Sequence, residues 1–395
     1  MRGHPGLCLS LAMNRTITTL LLAVGALVAL SVAMLASATM LKQSNHLMHS
    51  WVQTQAIACV IGFVVLALAA RIDYHLLERF AWPVYGVTVL LLALTLSPLG
   101  KSMNGAQRWL FHTQPSEFAK LGLIVALAWF GARFHHRMGS FLSGVLGMAA
   151  IAAVPVALII VEPDKGTAAL LGLVTFLLML VAGVRWQHVV IPAAVCAVGF
   201  ALLVSESPYA KKRVTTWLDS MSRPVDKKND ADRDGNLQVN ESLYALGAGG
   251  VSGTGLGRGA HKFNIPEQHT DFIFPVIGEE LGLPFTLGVV GVFVVILVCG
   301  ASVTHSAPDT FGMLLAGGIT FLIAAQAAIN LCVVTALLPN KGMPLPFVSR
   351  GGTGVVLMLG LTGLLVSVAR QGITTGSRTR VSGDPFGTVD TDMPG

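Results

Sequence analysis

Apolar runs about 20 residues long recur along the whole chain, and nothing else in the sequence restricts the fold so tightly. A run of that length is what a helix needs to cross the ~30 Å hydrocarbon core of a bilayer. About ten such runs can be marked, with cores near 16–38, 52–70, 79–97, 116–134, 141–161, 167–184, 189–205, 273–303, 310–336 and 351–370. The fold class expected is an all-α polytopic membrane protein of about ten transmembrane helices. Composition agrees: 53% of the residues are hydrophobic and only 12% charged, which no ordinary soluble domain reaches. The 43 glycines suit helices whose backbones approach closely.

The run at 273–303 is longer than one span needs, so its start is expected at the surface or in a re-entrant piece. The first run, near Ile17–Ala38, reads as an anchor rather than a cleaved leader, and Met13 is an alternative start. Residues 1–15 are expected as a cytoplasmic N-terminus, and 16–370 as the transmembrane domain. Residues 205–272 form one large extracytoplasmic loop between helices 7 and 8, and 371–395 a disordered cytoplasmic tail. The orientation follows from Lys and Arg in short loops. With the N-terminus inside, the inner side holds Arg15, Arg71, Arg79, Arg133, Arg137, Arg185, Arg370, Arg378 and Arg380. The outer side holds Lys42, Lys101, Arg108, Lys165, Lys341 and Arg350. Both termini are then cytoplasmic. Cys8, Cys59, Cys196, Cys299 and Cys332 have unrelated spacings and are read as packing residues. The net charge of +6 reflects loop Lys and Arg and does not point to nucleic acid.

Charge beside lipid is costly and usually faces a cavity, a partner or a substrate. The densest such cluster is His269-Thr270-Asp271 with Glu279-Glu280 following. Asp271 can be read as a helix N-cap or as a general base. Glu279, eight residues on, would share its helix face, and close carboxylates raise one another's pKa or share a cation. Arg108 and Trp109 fit an interfacial anchor or a substrate contact, and Glu117 and Lys120, three apart, can pair on one helix face. Glu162-Pro163-Asp164-Lys165 is a tight turn whose Asp164 can cap the next helix. Asp230, Asp232, Asp234 and Glu241 follow a calcium-loop spacing, for which a solvated loop is the plainer account. Gly247–Gly259 invites a phosphate-loop reading but follows no strand. A close-packing segment is more natural, although its N–H groups could line an anion path. Leu338–Gly352 holds three prolines that forbid a regular helix. Irregular backbone at membrane depth survives only when buried in protein or lining a wet cavity. Lys341 and Arg350 would make such a cavity attractive to a pyrophosphate.

Seven segments, taken together, resemble the SEDS family (shape, elongation, division and sporulation), the group of FtsW and RodA. They are NGAQRWL from Asn104, QPSEFAKL from Gln114, EPDKGTA from Glu162, RVTTWLD from Arg213, ESLYALGAGGVSGTGLG from Glu241, PEQHTDFIFPVIGEELG from Pro266 and LLPNKGMPLPFVSRGG from Leu337. NGAQRWL and the lysine of PNKG lean toward FtsW. The resemblance implies a glycosyltransferase that polymerises lipid II into peptidoglycan strands beside a class B penicillin-binding protein and other divisome or elongasome membrane proteins. It implies Asp271 as the catalytic residue. It also implies Arg108, Trp109, Glu117, Lys120, Asp164, Arg213, His269, Thr270, Lys341, Ser349 and Arg350 around the substrate, with Glu279 and Glu280 supporting. A divalent cation, magnesium or manganese, would suit the leaving pyrophosphate, and no organic cofactor is expected. A lipid II flippase and a non-catalytic scaffold that activates the penicillin-binding protein are the alternatives. Glu162 stands where the family usually has Gln, Lys165 where it is commonly apolar, and Ser349-Arg350-Gly351-Gly352-Thr353-Gly354 where it has Ser-Tyr-Gly-Gly-Ser-Ser.

Overall fold

The computed structural model describes residues 5–39, 46–103, 106–111, 113–190, 236–261 and 270–381, with Ala194, Val198, Gly199, Thr215 and Trp217. The described chain is mainly helical. Helices α1 (Pro5–Thr39), α2 (His46–Ala69), α3 (His75–Arg79) and α4 (Ala81–Thr95) lead to two short antiparallel strands, β1 (Lys101–Met103) and β2 (Ala106–Trp109), with Lys101 opposite Trp109. Then come α5 (Pro115–Arg133), a π-helical turn at Phe141–Leu146 that runs into α6 (Gly147–Val161), and α7 (Lys165–Val181). Within the stretch expected as a large loop lies α8 (Asn236–Gly249). It is followed by α9 (Ile273–Leu281), α10 (Leu283–His305), α11 (Thr310–Val334) and α12 (Gly352–Val381).

Six helices among the described residues are long and apolar enough to cross a membrane: Ala12–Ser37, Trp51–Ala69, Phe141–Val161, Leu283–His305, Thr310–Val334 and Gly352–Ile373. Helices α4 and α7 are apolar but shorter, and α5 carries Glu117, Lys120 and Arg133. The expected span at 189–205 lies largely outside the described residues. The long run at 273–303 is two helices. Gly282, at φ 78°, breaks it in a conformation that costs glycine little, and α10 restarts with a proline in its first turn.

Local chemistry fixes several helix starts. Pro115 opens α5 with Glu117 in the first turn, where a carboxylate favours the positive helix end. Asp164 caps α7 by accepting from the Thr167 N–H at 3.3 Å, and Asp309 caps α11 by accepting from the Gly312 N–H at 2.8 Å. Helix α11 is the axis of the fold. It packs against α10, α5, α7 and α12, while α12 lies along α2. Of the apolar window in α12, 72% is buried, against 28% in α2, so α2 is peripheral.

Candidate functional site

The site gathers at the Val334 end of α11. Gln326 and Asn330, four residues apart and both buried, present amides from one face of this apolar helix. The Gln326 Nε2 donates to the Pro344 carbonyl at 2.9 Å. The Asn330 Nδ2 donates to the Met343 carbonyl at 2.6 Å and to the Asp271 carbonyl at 2.8 Å. Two amides thus fasten the proline-rich Leu338–Gly352 loop to α11 and tie the backbone of Asp271 to it. Neither residue stood out in the sequence; the signal available was their four-residue spacing within an apolar run.

Asp271 lies just before α9, in the turn Thr270–Phe272. It is not the helix cap: Phe272 holds that position, and no side chain caps there. A Cβ built on Gly342 would stand 2.4 Å from the Asp271 Oδ2, so only glycine lets the loop backbone come this close to the carboxylate. One residue earlier, the Lys341 stem lies against the start of α7, where a Cβ on Gly166 would stand 2.5 Å from Lys341 Cε. The structure therefore brings Asp271, Lys341 and the Asp164–Gly166 turn together. His269, Arg213, Asp230, Asp232 and Asp234 lie outside the described residues.

Several of the expected substrate contacts also have partners within the protein. The Lys120 Nζ, only 2% exposed, donates to the Glu117 Oε1 at 2.6 Å and to the Gln326 Oε1 at 3.0 Å. Glu117 borders a small cavity with Gln326, Pro344 and Ser349. The Ser349 Oγ accepts from the Leu345 N–H at 2.7 Å and stabilises a loop in which buried Phe347 has φ 64°. The Arg350 guanidinium stacks 4.3 Å over the Trp51 ring. From β2, Arg108 donates to the carbonyls of Glu162 (3.2 Å) and Pro163 (2.6 Å), clamping that turn; Trp109 beside it is half-buried.

The Glu162 carboxyl is buried under this clamp and paired with the Thr95 hydroxyl. Burial pushes it up, to about 7. A proton donated by Thr95 would pull the other way, Asp164 adds to the rise, and Arg108 opposes it.

Glu279 and Glu280 do not extend the Asp271 cluster along one helix, because α9 begins only at Ile273. The Glu279 Oε1 accepts from the N–H groups of Ala260 (2.7 Å) and His261 (2.9 Å), and the Glu280 Oε2 accepts from the Ser37 hydroxyl of α1. The glycine-rich segment wraps the end of α9: Thr254 N–H donates to the Glu279 carbonyl and Gly255 N–H to that of Glu280, both at 2.9 Å. These four N–H groups serve the protein's own oxygens. Glu241 faces the ring of His261 at 3.1 Å. Among the described residues, no three His, Cys, Asp or Glu side chains are grouped to hold a metal ion.

The chain is similar to known proteins over most of its length. A protein of Trichlorobacter lovleyi named "Probable peptidoglycan glycosyltransferase FtsW" is 36% identical over 358 residues, 89% of this chain and 92% of its own. "Stage V sporulation protein E" of Bacillus subtilis is 35% identical over 316 residues, 78% of this chain and 84% of its own. Among solved structures, a chain from a study of the structural coordination of polymerization and crosslinking by a peptidoglycan synthase complex is similar at TM-score 0.71. It is 26% identical, covering 89% of this chain and 97% of that one. The rod shape determining protein RodA of Thermus thermophilus is similar at TM-score 0.63 and 25% identity, covering 89% and 96%. With residues 12–373 matching the FtsW/RodA/SpoVE model, described as cell cycle protein, the chain belongs to that family.

Proposed function

We propose that this protein is a peptidoglycan glycosyltransferase that polymerises lipid II at the outer face of the bacterial cytoplasmic membrane, in cell division, with Asp271 as its base. The relatives named FtsW support the activity, and the family's description as a cell cycle protein supports the division role. The observation that carries the site is the contact of the Asp271 carboxylate with the Gly342 backbone, beside a lysine whose stem crosses to the Asp164–Gly166 turn. Asp271 accepts the proton of the GlcNAc 4-hydroxyl of one lipid-linked precursor. That oxygen bonds to C1 of MurNAc in the growing strand with inversion, the bond from C1 to phosphate breaks, and undecaprenyl pyrophosphate departs. General-base help of this kind is worth about 10²–10⁴-fold. Lys341 meets the leaving charge, with Arg213 as a second cation from the sequence. A divalent cation, magnesium or manganese, would neutralise part of the charge on the departing pyrophosphate.

In this reading the chain has about ten spans, with its large loop outside between helices 7 and 8 and both termini cytoplasmic. A class B penicillin-binding protein crosslinks the strands it makes; the similar chain in a peptidoglycan synthase complex supports such a partner. Asp271→Ala in the purified protein, supplied with lipid II and that partner, should abolish long glycan products in detergent. Undiminished product would remove Asp271 from the chemistry. Lipid II translocation in vesicles by a wild type that makes no glycan would favour the flippase, and partner activation surviving Asp271→Ala without any polymerisation would favour the scaffold.

A further inference from the structure

The Thr95 hydroxyl has one proton and two acceptors. It sits 2.6 Å from the Leu92 carbonyl, which can only accept, and it also pairs with the Glu162 Oε1. One hydroxyl proton cannot serve both acceptors, and a carbonyl has none to give, so both contacts are hydrogen bonds at once only if Thr95 donates to Leu92. The contact with Glu162 is then a hydrogen bond only if the carboxyl supplies its own proton. The rest of the environment agrees. Glu162 is 1% exposed, and its Oε2 is buried with no hydrogen-bond partner, a setting that penalises a carboxylate far more than a neutral acid. The charged groups facing it are Asp164 in its own turn, which opposes ionisation, and Arg108 from β2, whose donors go to backbone carbonyls of this turn.

We propose that Glu162 is held as a neutral carboxylic acid that donates to Thr95, and that this bond positions the Glu162–Gly166 turn on which Lys341 rests. It is a positioning residue, and the proposal rests on the glycosyltransferase reading for its effect on rate. Thr95 closes α4, Glu162 follows the last residue of α6, and Arg108 comes from β2. One neutral hydrogen-bonded chain, Glu162 to Thr95 to Leu92, therefore joins the ends of two helices directly beneath the clamp. Ionisation leaves a carboxylate that only accepts, so the Thr95 proton must leave Leu92 to meet it, and the two-bond chain that fixes the turn on α4 is broken. The position of the Lys341 stem, set by Gly166, shifts with it. The raised value of about 7 puts this loss within a range that can be assayed.

The test uses the full-length protein with its partner, lipid II as substrate, and three forms: wild type, Glu162→Gln and Thr95→Val. The Gln amide donates the same bond without a titrating proton. Wild-type polymerisation should fall above about pH 7, approaching about tenfold per pH unit. Glu162→Gln should match it at pH 6 and hold its rate at pH 8.5, at least tenfold above wild type. Thr95→Val should be slow at every pH. Difference infrared spectra of the same samples should show a carboxylic C=O band that titrates in wild type and is missing from Glu162→Gln. No such band at pH 6, a band that survives in Glu162→Gln, or superimposable pH profiles would each overturn the proposal. Absence of glycan from wild type at every pH overturns the glycosyltransferase reading instead, and the infrared titration still decides the state of Glu162.

Discussion

At the scale of single residues, closeness to Asp271 is set by what is missing from Gly342. A methyl there would have to share space with the Asp271 Oδ2, 2.4 Å from it. Gly342→Ala should therefore displace either the carboxylate or the loop by about an ångström, and a displacement of that size near reacting groups costs on the order of 10²-fold in rate. The expected outcome is glycan synthesis down about 100-fold with an almost unchanged thermal midpoint. The buried ion pair gives the opposite signature. Lys120→Met strands Glu117 without its cation and should cost about 3–5 kcal/mol. The double variant Lys120→Met with Glu117→Gln should recover most of that, as read by thermal unfolding in detergent. The Glu117–Lys120 pair and the Asp164 cap are legible in the sequence because each depends on local spacing, whereas Asp271 stands out there only as charge beside an apolar run. The sequence could not announce Gly342, Asn330 or Thr95, whose roles arise where segments far apart in the chain meet. Glu162 stood out only as a departure from the usual glutamine; its burial explains how an acid can occupy an amide's place.

At the scale of elements, the recurrent apolar runs located the helices, and the excess length of 273–303 already hinted at a division. The place of the break needed Gly282 and its positive φ, which composition does not reveal. The same break undid the expected alignment of Asp271 with Glu279, since an eight-residue spacing means one face only inside an unbroken helix. The glycine-rich segment looked like a ligand loop because such loops need small residues. Here the same need comes from the end of α9, where a Cβ on Gly249 would stand 1.9 Å from the Gly278 carbonyl.

At the scale of the whole molecule, α11 links two polar centres. Asp271 and the proline-rich loop lie near its Val334 end. At its Asp309 end, the Tyr74 hydroxyl donates to the Asp309 Oδ2, and His75 bridges Asp309 (3.4 Å) and Asp73 (2.7 Å). The Gln371 Nε2 of α12 donates to Asp73 at 2.8 Å. A helix of 25 residues separates the two centres by about 35 Å. Burial lowers the His75 pKa, but the hydrogen bond to Asp73 and the charges of Asp309, Asp73 and Glu78 outweigh it, so the net shift is upward. A raised histidine stabilises fully below its ordinary 6.5 and loses that contribution as pH rises through its folded value. The thermal midpoint in detergent should fall across that interval in wild type, and His75→Ala should flatten this part of the curve. The division at Gly282 has a mechanical counterpart. Asp271 stands at one end of a nine-residue helix whose near end is tied to Asn330 and whose far end is held by residues 250–261. The carboxylate is thereby held through one short helix tied down at both ends rather than by a long span.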